Sequence, residues 1–280
     1  MADFDGKINS IKPGMLTIIG IPYDANSSFM RGPALAPARI RSALYSGSIN
    51  LCSENRIDLS SESCFMDLGD ITFNDRFLPF EQIEKIIEEL LEQKAYVISL
   101  GGDHSITYPI IKAYSKKYQG LNILHLDAHP DLYDEYGGSR FSHACPFARI
   151  MEQKLAKRLV QVGIRTMNPH QYKQVQKYGV EVFEMKNWQS EINLEFEGPL
   201  YLSLDMDVLD PAFAPGVSHH EPGGLSTRDV IGLIQSLDVP LVGGDLVELN
   251  PERDPAGITA MAAAKLLKEL SAAVLKNNPG

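Results

Sequence analysis

Three short polar motifs carry the residue types that chemistry at a buried site requires, and each follows an apolar run. The motifs are Gly101-Gly102-Asp103-His104-Ser105, Asp127-Ala128-His129-Pro130-Asp131 and Asp205-Met206-Asp207. The apolar runs before them are Ala95–Leu100, Leu121–Leu126 and Pro199–Leu204. Short apolar runs of this kind are typical of buried strands, so the motifs are predicted to lie at strand ends.

The spacing within the motifs predicts that their side chains converge. In extended backbone, residues two apart project to the same side, so Asp127, His129 and Asp131 can point at one place. Asp205 and Asp207 can do the same from another strand. That many carboxylates in one cleft would repel each other and would be costly to remove from water. A pair of divalent cations resolves the conflict, and we predict a dinuclear metal site from these residues.

The ligand types favour manganese. Carboxylates and imidazoles form an oxygen-rich set that suits Mn²⁺, with Fe²⁺, Co²⁺, Ni²⁺ or Zn²⁺ as substitutes decided by geometry or availability. The cysteines, Cys52, Cys64 and Cys145, all lie outside the three motifs, which disfavours structural zinc. Two such metals about 3.5–4 Å apart can generate a hydroxide nucleophile from water at neutral pH. The motifs therefore fit hydrolysis by such a hydroxide.

The elements that must position these motifs alternate along the chain. Further strands, also apolar on both faces, are predicted over Met15–Ile21, Leu159–Ile164 and Pro240–Gly244. Helices are predicted over Pro79–Glu92, Ile106–Tyr118, Asn168–Tyr178, Thr227–Leu237 and Ile258–Leu275. Ser226 and Asp229 resemble a capping box for the fourth helix. This alternation predicts an α/β fold of three layers, α/β/α, around a central, mostly parallel sheet, whose ligands collect at the carboxyl ends of the strands.

Composition limits the number of domains and the kinds of partner. The 280 residues are 44% hydrophobic and contain no obvious linker or low-complexity tract, so we expect one domain over residues 1–280. The 26 basic and 36 acidic side chains give a formal charge of −10, which disfavours a nucleic-acid partner and suits a small cationic ligand. We expect no membrane partner, because no apolar segment approaches spanning length. Residues 1–15 resemble neither a signal peptide nor a transit peptide, so we expect a cytoplasmic protein with reduced thiols.

The motifs and their surroundings resemble the ureohydrolase family, which includes arginases and agmatinases. The similarity runs through almost the whole chain, and it is most similar to plant-type arginases in residues 142–151 (SHACPFARIM) and 215–226 (PGVSHHEPGGLS). The resemblance implies an arginase-like fold and two Mn²⁺ per subunit. One metal would be held by His104, Asp127, Asp131 and Asp205. The second would be held by His129, Asp127, Asp205 and Asp207. Asp127 and Asp205 would bridge the two metals.

The resemblance also implies substrate-facing residues. It places His143 where the family has a histidine that passes protons to the leaving amine, and Glu248 where a carboxylate grips the planar guanidinium group. We count Asp131 as a catalytic residue as well as a metal ligand, and Ser139 as a substrate-binding residue together with His143 and Glu248. The implied reaction is attack of a metal-bridging hydroxide on the guanidinium carbon of L-arginine or a close analogue, which releases urea and an amine such as ornithine.

The substrate itself is left open by the sequence. Agmatine is arginine without its α-carboxylate, so the metal site does not distinguish the two, and guanidinobutyrate or guanidine is a further alternative. Selectivity would lie in the loops Leu132–His143 and Pro215–Gly224. Arginases of the family often have an asparagine in the second half of the first loop, where this chain has Gly138-Ser139-Arg140. We favour arginine slightly, and the resemblance implies a homotrimer or homohexamer.

Two other classes of protein are disfavoured. A zinc-dependent deacetylase on a similar fold needs a single metal, and His104 and Asp207 are the extra ligands that a second metal requires. A non-catalytic homologue that acts as a binding or regulatory subunit would be favoured by a missing ligand, and every ligand position is filled. Among the remaining histidines, we interpret His125 as a core residue and His219 and His220 as loop residues at the rim of the site.

Overall fold

Eight parallel strands form one sheet in the computed structural model, which describes residues 7–60, 64–74, 78–189, 192 and 194–278. The strands are β1 (Leu16–Gly20), β2 (Phe65–Asp70), β3 (Tyr96–Leu100), β4 (Asn122–Leu126), β5 (Arg158–Ile164), β6 (Glu181–Glu184), β7 (Leu200–Asp205) and β8 (Leu241–Val247). Their spatial order is β2-β1-β3-β8-β7-β4-β5-β6, and every neighbouring pair is parallel. The predicted α/β class with a parallel sheet is confirmed.

Both faces of the sheet are buried. Along β3 and β4, Val97 and Ile123 pack on one face, while Ile98 and Leu124 pack on the other. Each of these side chains is at most 1% exposed. Because alternate residues of a strand point to opposite faces, a strand that is apolar at every position requires covering elements on both sides.

Helices supply that cover on both faces. The α-helices are α1 (Ala36–Leu44), α2 (Pro79–Glu92), α3 (Thr107–Lys117), α4 (Pro146–Glu152), α5 (Pro169–Tyr178), α6 (Thr227–Ser236) and α7 (Ile258–Asn277). Short 3-10 turns occupy Pro33–Leu35, His104–Ile106, Met185–Asn187, Met206–Val208 and Pro251–Arg253. Helices α1, α6 and α7 pack on one face and α2, α3 and α4 on the other, which confirms the three-layer architecture. Within the described ranges no helix has the length and apolar character needed to cross a membrane. The prediction of a single domain stays a prediction.

The predicted elements are all present, with ends that move by three residues or fewer. Strands β2 and β6 are additional, and both lie at the edges of the sheet, where a strand has one neighbour and needs fewer apolar residues. Helices α1 and α4 are also additional, and both are short and contain proline in their first turn. Strand β8 continues through Asp245 to Val247, beyond the predicted end at Gly244, because the buried Asp245 carboxylate is hydrogen-bonded.

Capping side chains define where two helices begin. The predicted capping box of α6 is confirmed, since Ser226 Oγ accepts a hydrogen bond from Asp229 N at 3.1 Å and Ser226 N donates to Asp229 Oδ2 at 2.9 Å. A second box starts α5, where Gln171 N donates to Asn168 Oδ1 at 2.9 Å and Asn168 N donates to Gln171 Oε1 at 3.2 Å. Capping of this kind satisfies amide groups that have no partner within the helix.

Leu202 tests how much the central core contributes to stability. Leu202 is fully buried in β7, so Leu202→Ala leaves a cavity between the sheet and its helices and is expected to lower the free energy of unfolding by about 2–5 kcal/mol. Leu35, which is 53% exposed, gives the matched control, because Leu35→Ala is expected to change this free energy by about 0.5 kcal/mol or less. Denaturant titration of both variants measures the difference, and equal losses would contradict the burial described above.

Candidate metal centre

Four neighbouring strands bring the polar motifs to one edge of the sheet. Strands β3, β8, β7 and β4 are adjacent. Their carboxyl ends carry, in the same order, His104, Glu248, Asp205 and Asp127. Because the strands are parallel, these residues meet at one edge although they are far apart along the chain. The structure therefore brings the predicted ligand residues together.

His104 lies among three carboxylates. Its Nδ1 is 3.2 Å from Asp127 Oδ2, 3.1 Å from Asp131 Oδ2 and 3.2 Å from Asp205 Oδ2. All of these residues are buried. Nδ1 has no hydrogen-bond partner among the described residues despite these short distances. Three carboxylate oxygens therefore converge on one imidazole nitrogen, and these are donor types that bind divalent cations.

Hydrogen bonds on the far side of the ring place the proton of His104 away from the acids. His104 Nε2 lies 3.0 Å from Ser203 Oγ, and Ser203 Oγ donates to Asp245 Oδ1 at 2.7 Å. The single hydroxyl hydrogen of Ser203 is thus used, so Ser203 accepts from the Nε2–H of His104. Asp245 is held in turn by Tyr201 Oη and Thr107 Oγ1, which donate to its Oδ2 at 2.8 and 2.9 Å. Burial opposes the charged form of the ring, but the carboxylates of Asp127, Asp131 and Asp205 raise the pKa of His104 well above its usual range. Loss of the Nδ1 proton leaves a lone pair directed at the acids, which is the form of imidazole that binds a metal.

Asp127 connects this group to a second one. His129 Nδ1 lies 3.4 Å from Asp127 Oδ1 and 3.0 Å from Asp207 Oδ2. Asp205 is tied to the same region, since its Oδ1 accepts a hydrogen bond from Asp207 N at 2.8 Å. Asp127 therefore directs one carboxylate oxygen towards each histidine, with Oδ2 facing His104 and Oδ1 facing His129.

Two acids of the cluster, Asp131 and Asp205, are destabilised in their charged form. Burial raises the pKa of Asp205 well above its usual range, and the nearby charges of Asp207 and Asp127 add to the rise. Burial together with the charge of Asp127 raises the pKa of Asp131 to about 6. Positive charge would relieve this repulsion. The donor set consists of several carboxylate oxygens and two imidazole nitrogens that face them. This set fits a pair of divalent cations.

His125 lies beneath the cluster and contacts it. The side chain is fully buried, and burial lowers its pKa to about 4. Its Nε2 lies 2.7 Å from Asp127 Oδ2. The interpretation of His125 as a core residue agrees with this burial but leaves out the contact with Asp127. The spacing His125-x-Asp127 at the end of β4 is the signal that points to this contact, because residues two apart in extended backbone project to the same side.

Glu248 and His143 form a buried pair beside the acids. Glu248 Oε1 lies 2.7 Å from His143 Nδ1 and accepts a hydrogen bond from His104 N at 2.9 Å. Burial opposes the charged form of the His143 ring, but the adjacent Glu248 carboxylate raises the pKa of His143 to about 9. Across the ring, His143 Nε2 accepts from Ser28 N at 3.1 Å and lies 2.8 Å from Ser28 Oγ. The second carboxylate oxygen, Glu248 Oε2, is buried and has no hydrogen-bond partner in the described part of the chain.

Unusual backbone conformations occur at the site. Asp131 has φ 48° and Glu248 has φ 64°, both in the left-handed region. A residue with a side chain in this region costs about 1–3 kcal/mol, and such residues cluster at functional sites. The left-handed backbone changes the direction of the two carboxylates that follow β4 and β8. Because this conformation is strained, local packing and hydrogen bonds must hold both residues in place.

The glycine-rich motif holds the loop that carries Ser28. A Cβ on Gly102 would lie 1.8 Å from the carbonyl oxygen of Tyr23, so only glycine allows this approach of the two backbones. Asp103 N donates to Tyr23 O at 2.9 Å, and Asp103 Oδ2 accepts from Asn26 N at 2.9 Å. Asp103 thus anchors the loop that bears Ser28 rather than joining the candidate ligands.

A cavity of about 210 Å³ opens onto this centre. Predicted site residues that line it are His129, Asp131, His143, Asp205, Asp207 and Glu248. It is also lined by Ser28, Tyr133, Tyr136, Ala144, Thr166, Gln171 and His219. Most of this second group comes from loops and from the start of α5, and local sequence patterns carry no signal that such residues meet over the strand ends.

Ser139 does not join the other predicted site residues. Its Oγ accepts a hydrogen bond from Phe141 N at 3.1 Å, and its backbone pairs with Tyr136 in a tight turn. Ser139 lines a neighbouring cavity, and the predicted contact with substrate has no support in this arrangement. The two adjacent histidines face different surroundings, because His219 lines the central cavity while His220 Nε2 lies 2.7 Å from Pro215 O.

Comparisons with known proteins point to one family. A family model described as the Arginase family matches residues 15–272. "Arginase 1, mitochondrial" of Arabidopsis thaliana is 46% identical over 277 residues, which cover 93% of this chain and 81% of that protein. "Arginase 2, chloroplastic/mitochondrial" of the same plant is 44% identical and covers 92% and 80%. A solved structure of arginase from Medicago truncatula has a TM-score of 0.88 and 39% identity, and covers 98% of this chain and 92% of that one.

The same comparisons overturn the cytoplasmic location expected from the sequence. Both Arabidopsis thaliana relatives are named for mitochondria or chloroplasts. The cytoplasmic expectation is therefore wrong. The composition of residues 1–15, on which it rests, is a poor basis for assigning a compartment, because targeting is not encoded in the folded core that the relatives share.

The repulsion among the acids predicts how a metal changes stability. Because folding raises the pKa of Asp205, its ionised form opposes folding once the pH exceeds the ordinary range of the carboxyl. In metal-free protein, Asp205→Asn is therefore expected to raise the free energy of unfolding at pH 8, with a smaller gain at pH 5.

Adding Mn²⁺ is expected to reverse that ranking. Wild-type protein should gain about 2.7 kcal/mol per site when free Mn²⁺ exceeds the Kd a hundredfold, and Asp205→Asn should gain less. Denaturant titration with chelator or Mn²⁺ measures both effects, and Asp238→Asn on the exposed surface is the matched control. Equal stabilisation of wild type and Asp205→Asn by Mn²⁺ would argue against a cation at this cluster.

Proposed function

The chain belongs to the arginase family and is a hydrolase acting on guanidino C–N bonds, and on this premise we propose that it hydrolyses L-arginine to urea and ornithine with two Mn²⁺. The observation that carries the proposal concerns the buried Glu248, which lies beside the acid cluster and lines its cavity, and whose Oε2 has no hydrogen-bond partner among the described residues. A buried acceptor without a donor is costly. The N–H groups of a planar guanidinium would supply that donor and a balancing charge.

The two cations would occupy the two groups of ligand atoms that Asp127 connects. We assign one to His104, Asp127, Asp131 and Asp205. We assign the other to His129, Asp127, Asp205 and Asp207. When bound, the pair of cations would activate a water molecule as the nucleophile at neutral pH and would offset charge that develops on the reacting carbon. The raised pKa values of Asp131 and Asp205 support this assignment.

The protein's own side chains would then orient the substrate and move protons. Glu248 Oε2 would hold the guanidinium through its N–H groups, with the carbon directed at the acid cluster. In the reaction a C–O bond forms between water and this carbon, the C–N bond to the side-chain nitrogen breaks, and that nitrogen takes up a proton. His143 supports this last step, because Glu248 raises its pKa to about 9 and its Nε2 faces Ser28 Oγ at 2.8 Å. A proton accepted at Nε2 can pass to the leaving amine.

Neutral hydrogen-bond donors that line the cavity favour arginine over agmatine. Tyr133 Oη accepts from Asn168 Nδ2 at 2.5 Å, so its own hydrogen remains for another acceptor. Tyr133, Thr166 and Gln171 line the cavity, and each carries an O–H or N–H donor suited to the α-carboxylate that agmatine lacks. The likeness to plant arginases supports the same choice.

We also propose that residues 1–280 form a single domain and that the protein is a homotrimer or homohexamer. Sedimentation of the purified protein would test the oligomeric state.

Urea release tests the substrate and the site together. Purified protein loaded with Mn²⁺ is expected to release urea faster from arginine than from agmatine or guanidinobutyrate at equal concentration. Asp127→Ala and His129→Ala remove candidate ligands and should abolish the activity with every substrate. Asp238→Ala, on the exposed surface, is the control for expression and handling and should retain it. A preference for agmatine would contradict the choice of arginine, and activity in Asp127→Ala would contradict the metal site.

His143 is expected to act on proton transfer rather than on metal binding. His143→Gln should lower kcat by about 10²- to 10⁴-fold, the usual contribution of a positioned acid or base. Bound metal, measured after gel filtration, should stay at the wild-type ratio, because His143 contacts Glu248 and Ser28 rather than the acid cluster. Loss of metal in this variant, or an unchanged kcat, would refute the role.

A further inference from the structure

The environment of His125 determines which of its nitrogens carries the proton. His125 and Gln161 are paired across β4 and β5. Gln161 Nε2 lies 3.0 Å from His125 Nδ1 and 2.7 Å from Pro130 O. A backbone carbonyl only accepts hydrogen bonds, so the amide nitrogen of Gln161, not its oxygen, must face Pro130. The same nitrogen then donates its other hydrogen to His125 Nδ1.

This donation gives His125 a role opposite to that of His104. Because His125 Nδ1 accepts, the ring hydrogen is on Nε2, which donates to Asp127 Oδ2 at 2.7 Å. His125, His104 and Asp127 offer atoms within 4.8 Å of one another, so the group has the dimensions of a metal site. His125 has no lone pair to give such a site, however, whereas His104 keeps its Nδ1 lone pair by donating from Nε2 to Ser203.

Hydrogen bonds at both nitrogens set the orientation of the His125 ring, and two other rings pack against it. The ring stacks on Phe147, with centroids 3.9 Å apart and planes 28° apart, and meets the ring of His104 edge-on at 4.9 Å. All three side chains are fully buried. A donor fixed in this way restricts rotation of the Asp127 carboxylate, which keeps Oδ1 directed at His129 and Oδ2 directed at His104.

We propose that Gln161 and His125 form a positioning relay that holds Asp127 as the bridge between two cations. The inference rests on the proposed function, in that it assumes a dinuclear centre at the acid cluster. His125 acts through Asp127 and does not itself bind a metal. Hydrogen bonds to metal ligands from residues behind them commonly change metal affinity by about 10- to 100-fold. Without the relay, Asp127 Oδ1 still accepts a hydrogen bond from His129 N at 2.6 Å, but Oδ2 loses its donor and is held less firmly towards the cation beside His104.

The test compares three variants by Mn²⁺ binding and by electron paramagnetic resonance. His125→Phe keeps an aromatic ring against Phe147 but removes the donor, and it is expected to weaken the second Mn²⁺ by about 10- to 100-fold and to replace the signal of a coupled pair by that of isolated ions. His125→Gln places an amide N–H near the former Nε2 position and should recover most of the coupled signal. Gln161→Met removes the donor to His125 Nδ1, so the ring hydrogen is no longer held on Nε2. This variant should also weaken the second Mn²⁺, but less than His125→Phe does.

Phe147→Leu is the matched control, because it loosens the packing on His125 and leaves both hydrogen bonds in place. The proposal predicts that this variant binds two Mn²⁺ nearly as wild type does. It is overturned if Phe147→Leu and His125→Phe lose the second ion equally, if His125→Phe keeps wild-type affinity and coupling, or if spectroscopy of the wild type shows three histidine nitrogens on the metals. Binding of fewer than two Mn²⁺ by the wild type would instead refute the proposed function on which the inference rests.

Discussion

The electrostatic conflict at the ends of four neighbouring strands is the constraint on which the rest of the structure depends. β3, β8, β7 and β4 deliver acids into a buried space, where burial and mutual repulsion raise the pKa values of Asp131 and Asp205. A sheet apolar on both faces supplies a buried base for this cluster. The same base makes unbalanced charge costly. Positive charge from metals and from a cationic substrate would balance the negative charge of these acids.

Hydrogen bonding behind the cluster decides what each imidazole can do. His104 donates from Nε2 to a chain that ends at Asp245, and so presents a lone pair to the acids. His125, two residues before Asp127, accepts from Gln161 and so presents a hydrogen. The two rings are both fully buried and lie 4.9 Å apart, yet the partners of each give them opposite chemistry. Residue type alone therefore does not distinguish a ligand from the residue that positions a ligand.

Under the proposed function, Glu248 connects the candidate metal centre to the substrate. Its Oε1 is shared between His143 and the backbone of His104, while Oε2 has no partner among the described residues. The left-handed backbone at Glu248 aims this carboxylate beside the acids. The overall charge of −10 also suits a cationic ligand. The attraction is strongest at this site because the acids converge here.

The sequence by itself determined the layers of the fold and which residues are candidate ligands, while the tertiary structure decided the proton positions and the residues that line the cavity. Apolar runs followed by acids predict the central strands and their polar ends, because strand periodicity is local and places Asp127 and His129 on one side. Edge strands such as β2 (Phe65–Asp70) lack that pattern, since one side of an edge is unpaired. Ser28 reaches His143 from a distant loop, whereas Ser139, nearer along the chain, lies elsewhere. Such contacts depend on how loops cross the ends of the sheet, and no local spacing in the sequence records that path.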